Sequence, residues 1–314
     1  MKRTLIAFIA LAGALVAAIA LADLRGTWTI EQSSRHPDRI QLNLSRQHNH
    51  FGSSFPISSF TGLSLADGAS NFELRSEAGT IRFDGTFRDG DGAGHFTFAP
   101  NANVVTTLRS MNVAGLDDVD DEKLLSLALH GVSTDFIRAM RAEGYDVSLD
   151  KYIGMRVFNV TPELLQELRT LGFDKLKYDD LIASRVHGVT PDYIRSMRDA
   201  GFTKLSMDKL VATRIHGATP DFIRKMADLG YRNLDLDDLV AFRIHGVTPE
   251  FVKELAELGY HDVDSDDLVA MRIHGVTPKY IRELKDAGYE GVPVDKLVSM
   301  RIHGVDAAFI KKVK

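Results

Sequence analysis

Apolar and polar residues follow three different patterns along the chain. An apolar run fills most of residues 1–22, short alternating stretches mark residues 23–99, and apolar residues at helical spacing dominate residues 100–314. Alternation is typical of strands with one buried face, and a spacing of three to four residues is typical of amphipathic helices. We therefore expect an α+β protein in which a small antiparallel β meander precedes an αα-hairpin solenoid.

The first 22 residues have the layout of a secretory signal peptide. Two basic residues precede an apolar run from Leu5 to Ala22, which ends in a small-x-small cleavage pattern. An uncleaved N-terminal anchor is the alternative, because the run approaches the length that a membrane span requires. In either case we expect the rest of the chain to be exported and to lie in the periplasm or the medium.

The β region is predicted to hold about five or six strands. Its clearest alternating stretches are Thr27–Ile30, Arg39–Leu44, Phe72–Arg75, Thr80–Phe83 and His95–Phe98. The Gly-rich segment Arg88–Gly94 predicts a hairpin turn and not a calcium loop, because Ala93 occupies a ligand position. We expect His48-Asn49-His50 to be a solvated loop, since no third metal ligand is near it in the sequence.

From residue 128 onwards, one unit of about 29 residues recurs. The phrase Arg-Ile-His-Gly-Val-Thr-Pro returns almost unchanged in each copy. Repetition at a fixed period predicts a stacked array in which neighbouring units complete one another's core. We expect a degenerate first copy at residues 100–131, then six full repeats and a truncated last one.

Each unit is predicted to be a short helical hairpin. Its Thr-Pro pair supplies an N-cap oxygen and a proline at the first helical position. The capping residues are Ser133, Thr161, Thr190, Thr219, Thr248, Thr277 and Asp306. A glycine with a positive φ angle is expected to end each helix, and in the one copy without a glycine after the second helix Asn159 takes its place.

Two columns of side chains are candidates for a role in the array. The histidine column consists of His187, His216, His245, His274 and His303, with Phe158 at the same position of an earlier copy. We expect these histidines to be structural and to bond helix-terminal carbonyls or the next repeat. Neighbouring helices pack about 8–10 Å apart, which is too far for consecutive histidines to share a zinc ion.

The arginine column is the candidate surface for a ligand or partner, and it consists of Arg185, Arg214, Arg243, Arg272 and Arg301. Its structural alternative is pairing between repeats with an aspartate column, which consists of Asp179, Asp208, Asp237, Asp266 and Asp295. An array that presents such columns offers an extended binding surface. The outward positions that vary most, such as Glu250, Lys253 and Glu257, fit a role in binding as well.

Composition excludes several classes of function. The net charge of −5 lacks the basic field that attracts nucleic acid or anionic membranes. The absence of cysteine removes disulfides, thiolate metal sites and cysteine catalysis. The sequence has no His-Glu-x-x-His, P-loop or Gly-x-Ser-x-Gly motif, so we expect no catalytic residue, cofactor or metal ligand.

The repeat unit Arg-Ile-His-Gly-Val-Thr-Pro-Glu-Phe-Val-Lys-Glu-Leu-x-x-Leu-Gly-Tyr resembles repeats that accompany some bacterial membrane zinc metallopeptidases of the beta-lactam-sensor type. The segment Ala78–Phe87 is similar to the β segment beside those repeats, and the resemblance spans about residues 70–314. The zinc motif and the transmembrane helices of those peptidases are absent, so the resemblance implies no catalytic residue.

We therefore expect a non-enzymatic exported repeat protein that serves as an interaction or sensing scaffold in the bacterial envelope, with a protein as its partner. The alternative is a module that binds an envelope glycan or an anionic ligand on the arginine column. A membrane contact is expected only if the first segment stays uncleaved, and no nucleic-acid partner is expected.

Overall fold

A computed structural model of the chain describes residues 24–33, 36–47 and 49–313, so the predicted signal segment lies outside the described residues. The chain forms two compact units. The first holds the described residues up to Arg138 together with Val147–Ile153, and the second holds Ala139–Asp146 together with the described residues from Gly154 onwards. Among the described residues, none of the helices combines the length and the apolar character that a membrane span requires.

Seven strands of the first unit form one curled antiparallel sheet, so the β region of the predicted α+β fold is confirmed. The strands are β1 (Leu24–Gln32), β2 (Arg39–Arg46), β3 (Asn49–Pro56), β4 (Phe60–Thr61), β5 (Gly68–Ser76), β6 (Gly79–Arg88) and β7 (Asp91–Pro100). Their order is β3-β2-β1-β7-β6-β5-β4. Two runs of neighbouring strands are thus joined through the pairing of β1 with β7.

The predicted loop at His48-Asn49-His50 is wrong where the structure describes it, because Asn49 and His50 begin β3. His48 itself lies outside the described residues. Strand β3 has little apolar alternation, with Phe51 and Phe55 as its only large apolar side chains before Pro56. Its backbone pairing with β2 over eight residue pairs holds it in the sheet, and local sequence does not show that pairing.

The Gly-rich segment between β6 and β7 is a two-residue hairpin turn, as the sequence predicts. Asp89 and Gly90 have φ angles of 54° and 86°. Two positive φ angles are typical of the type I′ turn, whose twist matches that of the strands beside it. Pairing resumes between Arg88 and Asp91, so Asp91 belongs to a strand.

Two helices, α1 (Asn103–Ser110) and α2 (Asp121–His130), follow the sheet within the first unit. Helix α2 packs against β5, β6 and β7. Its buried side chains are Leu124, Leu125, Leu127, Ala128 and Leu129. The sequence places a domain boundary after residue 99, where β7 ends at Pro100, whereas these two helices form one compact unit with the sheet.

The remaining helices alternate between first and second helices of successive repeats. They are α3 (Thr134–Ala142), α4 (Leu149–Val157), α5 (Pro162–Thr170), α6 (Tyr178–Val186), α7 (Pro191–Asp199), α8 (Met207–His216), α9 (Pro220–Asp228), α10 (Leu236–His245), α11 (Pro249–Glu257), α12 (Ser265–Ile273), α13 (Pro278–Asp286), α14 (Val294–Ile302) and α15 (Ala307–Val313). From α5 onwards the odd-numbered helices are the first and the even-numbered ones the second of each hairpin, which confirms the predicted helical repeat region.

The seven predicted capping residues all accept a hydrogen bond from the backbone N–H three residues further on. In one copy, the Thr248 hydroxyl accepts from the N–H of Phe251 at 3.2 Å, and Pro249 occupies the first turn. The second helices end in the left-handed region: φ is 73° at Gly246 and 53° at Asn159. Asparagine is the next-best residue for that conformation, so its presence supports the interpretation as a helix stop.

A single apolar core runs through the second unit, from Leu168 to Ile310. Second helices α6, α8, α10, α12 and α14 each pack against the next second helix, and first helices α9, α11 and α13 pack in the same way. On α10 the side chains that face this core are Leu236, Leu239 and Phe242. Since each hairpin buries its apolar stripe against its neighbours, the repeats are stable only as a stack.

Candidate binding surface on the helical repeats

The arginine column connects consecutive repeats. The Nε of Arg214 on α8 donates a hydrogen bond to the carbonyl of His187 at 3.1 Å, 27 residues earlier in the chain. Its guanidinium carbon lies 4.9 Å from the centre of the Tyr193 ring. A cation over an aromatic face within about 6 Å is attracted by the ring. One side chain thus contacts both the end of the preceding second helix and the first helix that follows it.

The same contact recurs along the array. Equivalent hydrogen bonds join Arg185 to the Phe158 carbonyl, Arg243 to the His216 carbonyl and Arg301 to the His274 carbonyl. The guanidinium groups of Arg243, Arg272 and Arg301 lie 4.9–5.0 Å from the rings of Phe222, Phe251 and Tyr280. In Arg272 the Nε is buried and has no hydrogen-bond partner among the described residues, so that arginine keeps only the ring contact.

The helix-stop glycine has a positive φ angle and lies close to this arginine. A Cβ atom at Gly188 would lie 2.8 Å from Nη2 of Arg214, and one at Gly246 would lie 2.9 Å from Nη2 of Arg272. In both cases the atom approached is the far end of a flexible side chain, which can shift. Asn159 carries a Cβ atom at the equivalent position, and Arg185 still donates to the Phe158 carbonyl at 3.0 Å, so the positive φ angle is what favours glycine at this stop.

Pairing between the arginine and aspartate columns is not what the structure shows. The five arginines form no ion pair with any described residue, and they use a backbone carbonyl, an aromatic ring or both instead. Ion pairs between repeats lie elsewhere, for example Arg195 with Glu167 on the first helices and Lys209 with Asp237 on the second. The arginine column is thus largely committed to holding the array together.

Replacing Arg243 with glutamine is expected to lower the free energy of unfolding of the array by about 1–2 kcal/mol, because a charged hydrogen bond and a cation–π contact are lost together. Urea unfolding followed by circular dichroism measures the loss. Arg224→Gln is the matched control, since Arg224 is exposed and makes only a 3.9 Å contact with Asp221. Equal losses in the two variants would contradict the role of the column.

The histidine column differs from its expected role. The imidazoles of His187, His216, His245 and His274 make no hydrogen bond with any described residue, and only His303 bonds a carbonyl, that of Ser299, at 2.8 Å. In His187, His216 and His274 the part that joins repeats is the backbone carbonyl, which accepts from the arginine of the next copy. The imidazoles of His216, His245 and His274 are at the C-terminal ends of their helices and exposed, so they remain open to a partner, whereas His187 is half-buried.

Between the arginine and the histidine of each copy lies a branched aliphatic residue, and sequence reasoning did not single it out. This aliphatic row consists of Val186, Ile215, Ile244, Ile273 and Ile302. Each of the five side chains is between 53% and 57% exposed. Val157 holds the same position one copy earlier and is 47% exposed. Of the nine large apolar side chains that are exposed in the described part of the chain, six therefore belong to one column.

Two further rows complete the exposed face of the second helices. Residues four and seven positions apart share one side of a helix, so Asp237, Ala241 and Ile244 lie in line on α10. The small row consists of Ala183, Ala212, Ala241, Ala270 and Ser299, and the acidic row is the aspartate column. We name these three rows on α6, α8, α10, α12 and α14 together the ladder face.

The acidic row is open to solvent. Asp179, Asp208 and Asp266 are exposed and form no ion pair with any described residue. Asp237 and Asp295 pair with Lys209 and Lys296 at 2.8 and 3.5 Å. All five occupy the first turn of their helices, where a carboxylate is favoured by the helix dipole. The helix dipole therefore explains why these positions are aspartates. Three of the five carboxylates remain available to a cation.

The helical phase of the repeat contains the signal for the aliphatic row. Ile244 is five residues after Leu239, the centre of the buried stripe of Leu236, Leu239 and Phe242, which places it about 140° from that centre at 100° per residue. A first helix such as α11 carries Glu250, Lys253 and Glu257 on its exposed face. The second helices instead carry exposed aliphatic residues and half-buried alanines on this face, a composition that is typical of a buried face.

An open groove of about 470 Å³ lies on another part of the second unit. Leu229, Val252, Leu255 and two tyrosines are among its lining residues. The hydroxyl of Tyr231 donates to the Val263 carbonyl at 2.7 Å, and that of Tyr260 donates to the Val292 carbonyl at 2.8 Å. Burial raises the pKa of both hydroxyls. These tyrosines are therefore neutral hydrogen-bond donors that connect repeats.

Among the described residues, no three or more histidine, aspartate or glutamate side chains are grouped closely enough to hold a metal ion. A scan against protein-family models and a search of curated proteins gave no match for this chain. Inference about function therefore depends on the geometry of the repeats, and the ladder face is the surface whose composition folding alone does not explain.

Proposed function

We propose that the chain is a non-enzymatic, exported repeat protein that binds a protein partner in the bacterial envelope through its ladder face. The observation that carries the proposal is the aliphatic row: five branched side chains, each more than half exposed, at one position per repeat. Contiguous apolar surface on a protein marks an interaction site, because exposing it to water is unfavourable. A column that recurs with the repeat supports one extended partner along the array.

The signal-like first segment supports export, and the resemblance to repeats beside sensor-type metallopeptidases supports an envelope role. The alternative partner, a glycan or anionic ligand on the arginine column, receives less support. Each arginine already contacts a backbone carbonyl, an aromatic ring or both, so less of its guanidinium is available to an anion.

The test compares two variants in affinity purification from an envelope extract of the source bacterium. In the ladder variant, Ile215, Ile244 and Ile273 are replaced by glutamine, a good helix former. We expect it to fold as the parent does, because substitutions at exposed positions away from special contacts change stability by only about 0.5 kcal/mol. We expect it to recover at least tenfold less of a specific envelope protein than the parent chain does.

The matched control places the same number of changes on the first helix α9, as Asp221→Asn, Arg224→Gln and Asp228→Asn. All three positions are exposed, so the control keeps the fold and should keep the partner. Recovery of the same proteins by the parent chain and both variants would overturn the proposed function.

A further inference from the structure

We infer that the ladder face binds an extended polypeptide with a three-residue period, in which each triplet carries one basic and one aliphatic residue. This inference rests on the proposed function and names the chemistry of its partner. It follows from the width of the aliphatic row, the spacing of the helices that carry it and the charge of the row beside it.

The width of the aliphatic row argues for a linear partner. The row is one side chain wide, with the exposed but polar histidines on one side of it and the small row on the other. A stable interface between two globular surfaces buries about 800 Å² on each partner, and five half-exposed aliphatic side chains offer less than that. A second copy of the chain is therefore a poor fit, whereas a single extended segment can cover the row along its length.

The spacing of consecutive second helices matches the distance over which side chains repeat in an extended chain. Packed helices lie about 8–10 Å apart, so consecutive members of each row have about that separation. A polyproline II segment has three residues per turn and rises about 3.1 Å per residue, which returns a side chain to the same side every 9 Å or so. Every third residue of such a segment thus meets the same position on consecutive second helices. The backbone of the bound segment lies against the small row.

Charge places the basic residue of each triplet on the side of the acidic row and the aliphatic residue on the side of the aliphatic row. Along each second helix the aspartate precedes the aliphatic residue by seven positions, or about 10 Å at 1.5 Å per residue. A segment over the small row therefore has carboxylates on one side and aliphatic side chains on the other. Asp179, Asp208 and Asp266 form no ion pair with any described residue, so a basic side chain finds an unpaired carboxylate there. The open imidazoles beside the aliphatic row can donate to backbone carbonyls of the segment.

The experiment measures binding of the synthetic peptide (Lys-Val-Pro)5 to the chain by fluorescence anisotropy. We expect a Kd at least tenfold lower than that of a scrambled peptide of the same composition. Affinity should rise as the peptide is lengthened from three to five triplets, and it should fall at high salt because exposed charges are screened. The ladder variant should lose at least tenfold in affinity, and the first-helix control variant should bind as the parent does.

A charge exchange separates recognition from a structural role of the acidic row. The variant with Asp208→Lys and Asp266→Lys should bind (Glu-Val-Pro)5 more tightly than (Lys-Val-Pro)5, which reverses the preference of the parent chain. Equal binding of ordered and scrambled peptides, or no reversal in the charge-exchange variant, would overturn the inference.

Two other results would also overturn it. If the chain alone dimerises in analytical ultracentrifugation and the ladder variant stays monomeric, the occupant is a second copy. If the ladder variant loses its envelope partner in the affinity purification while the peptide does not bind the parent chain, the proposed function holds and the triplet chemistry is wrong.

Discussion

Replacing Trp28 with alanine is expected to lower the free energy of unfolding of the first unit by about 3–5 kcal/mol, the cost of removing a large buried aromatic side chain. Trp28 is 1% exposed, and its ring centre lies 5.2 Å from that of Phe72 and 5.6 Å from that of Phe87. Its Nε1 also donates to the Asp84 carbonyl at 3.1 Å. The substitution therefore creates a cavity and removes a hydrogen-bond donor together.

The strands around Trp28 leave this cavity little freedom to collapse after the substitution. A Cβ atom on Gly85 would lie 2.6 Å from Cζ2 of the indole, and one on Gly94 would lie 1.9 Å from the Asp84 carbonyl oxygen. Both glycines belong to paired strands, where β6 and β7 leave room for the ring. Because the backbone hydrogen bonds between the strands fix this site, we expect the strands to relax only partly after the ring is lost.

Urea unfolding followed by circular dichroism measures the effect, because Trp28 is the only tryptophan and its fluorescence disappears with it. Trp28→Phe is the control: it keeps an aromatic ring and loses the hydrogen bond, so we expect a smaller loss of about 1–2 kcal/mol. If alanine and phenylalanine destabilise the protein equally, the aromatic packing is not what stabilises the sheet.

Local chemistry made the repeats predictable. The Thr-Pro caps and the glycine stops act within three or four residues of chain, so each can be derived from one copy. Asn159 shows how specific that prediction is, because it takes a φ of 53° where the other copies have glycine. Repetition then supplied the tertiary neighbours, since a helix stripe that recurs every 29 residues can only be covered by the adjoining copy.

The sheet was less predictable because its order depends on contacts distant in sequence. Trp28 on β1 pairs with Gly94 on β7, across most of the β region, and no local signal encodes that pairing. Strand β3 was missed for the same reason. Its residues are held by pairing with β2, and their own apolar alternation is weak. Turn chemistry, by contrast, is local, and the hairpin at Asp89-Gly90 followed from it.

The candidate site was predicted only in part, and one repeated tripeptide shows why. In Arg243-Ile244-His245, sequence reasoning named the arginine as a candidate for ligand or partner binding and expected the histidine to be structural, and it did not single out the isoleucine. The structure uses the Arg243 side chain to join repeats through the carbonyl of His216, and it leaves Ile244 and the His245 imidazole exposed. The arginine's role requires a residue 27 positions earlier, which one copy read alone does not reveal. The exposure of Ile244 could have been derived from helical phase.

Neighbouring repeats also adjust to one another inside the core. The buried position occupied by Phe242 on α10 holds Thr213 on α8 and Met271 on α12. Thr213 accepts a hydrogen bond from the Tyr193 hydroxyl at 2.8 Å and donates to the Leu210 carbonyl at 2.7 Å, so the polar side chain is satisfied. Where the aromatic residue of the first helix is Phe222, which has no hydroxyl, the corresponding core position is the apolar Phe242.

Phe242→Ala is accordingly expected to be the most damaging single change in the array, at about 3–5 kcal/mol. The side chain is fully buried, and its ring centre lies 5.9 Å from that of Tyr231. Because each repeat is stabilised by its immediate neighbours, we expect the loss of hydrogen-exchange protection to be largest in α8, α10 and α12 and to decrease with distance along the array. Native-state exchange followed by mass spectrometry measures this gradient.

Phe242→Met is the matched control, since methionine occupies the equivalent position in Met271 and volume-conserving changes cost less than about 1.5 kcal/mol. A uniform loss of protection over the second unit would mean that it unfolds as one cooperative block. A gradient centred on α10 would instead mean that each repeat depends on the copies beside it. The ladder face keeps its geometry only where that stack is intact, so peptide binding to the Phe242→Ala variant should weaken before the whole array unfolds.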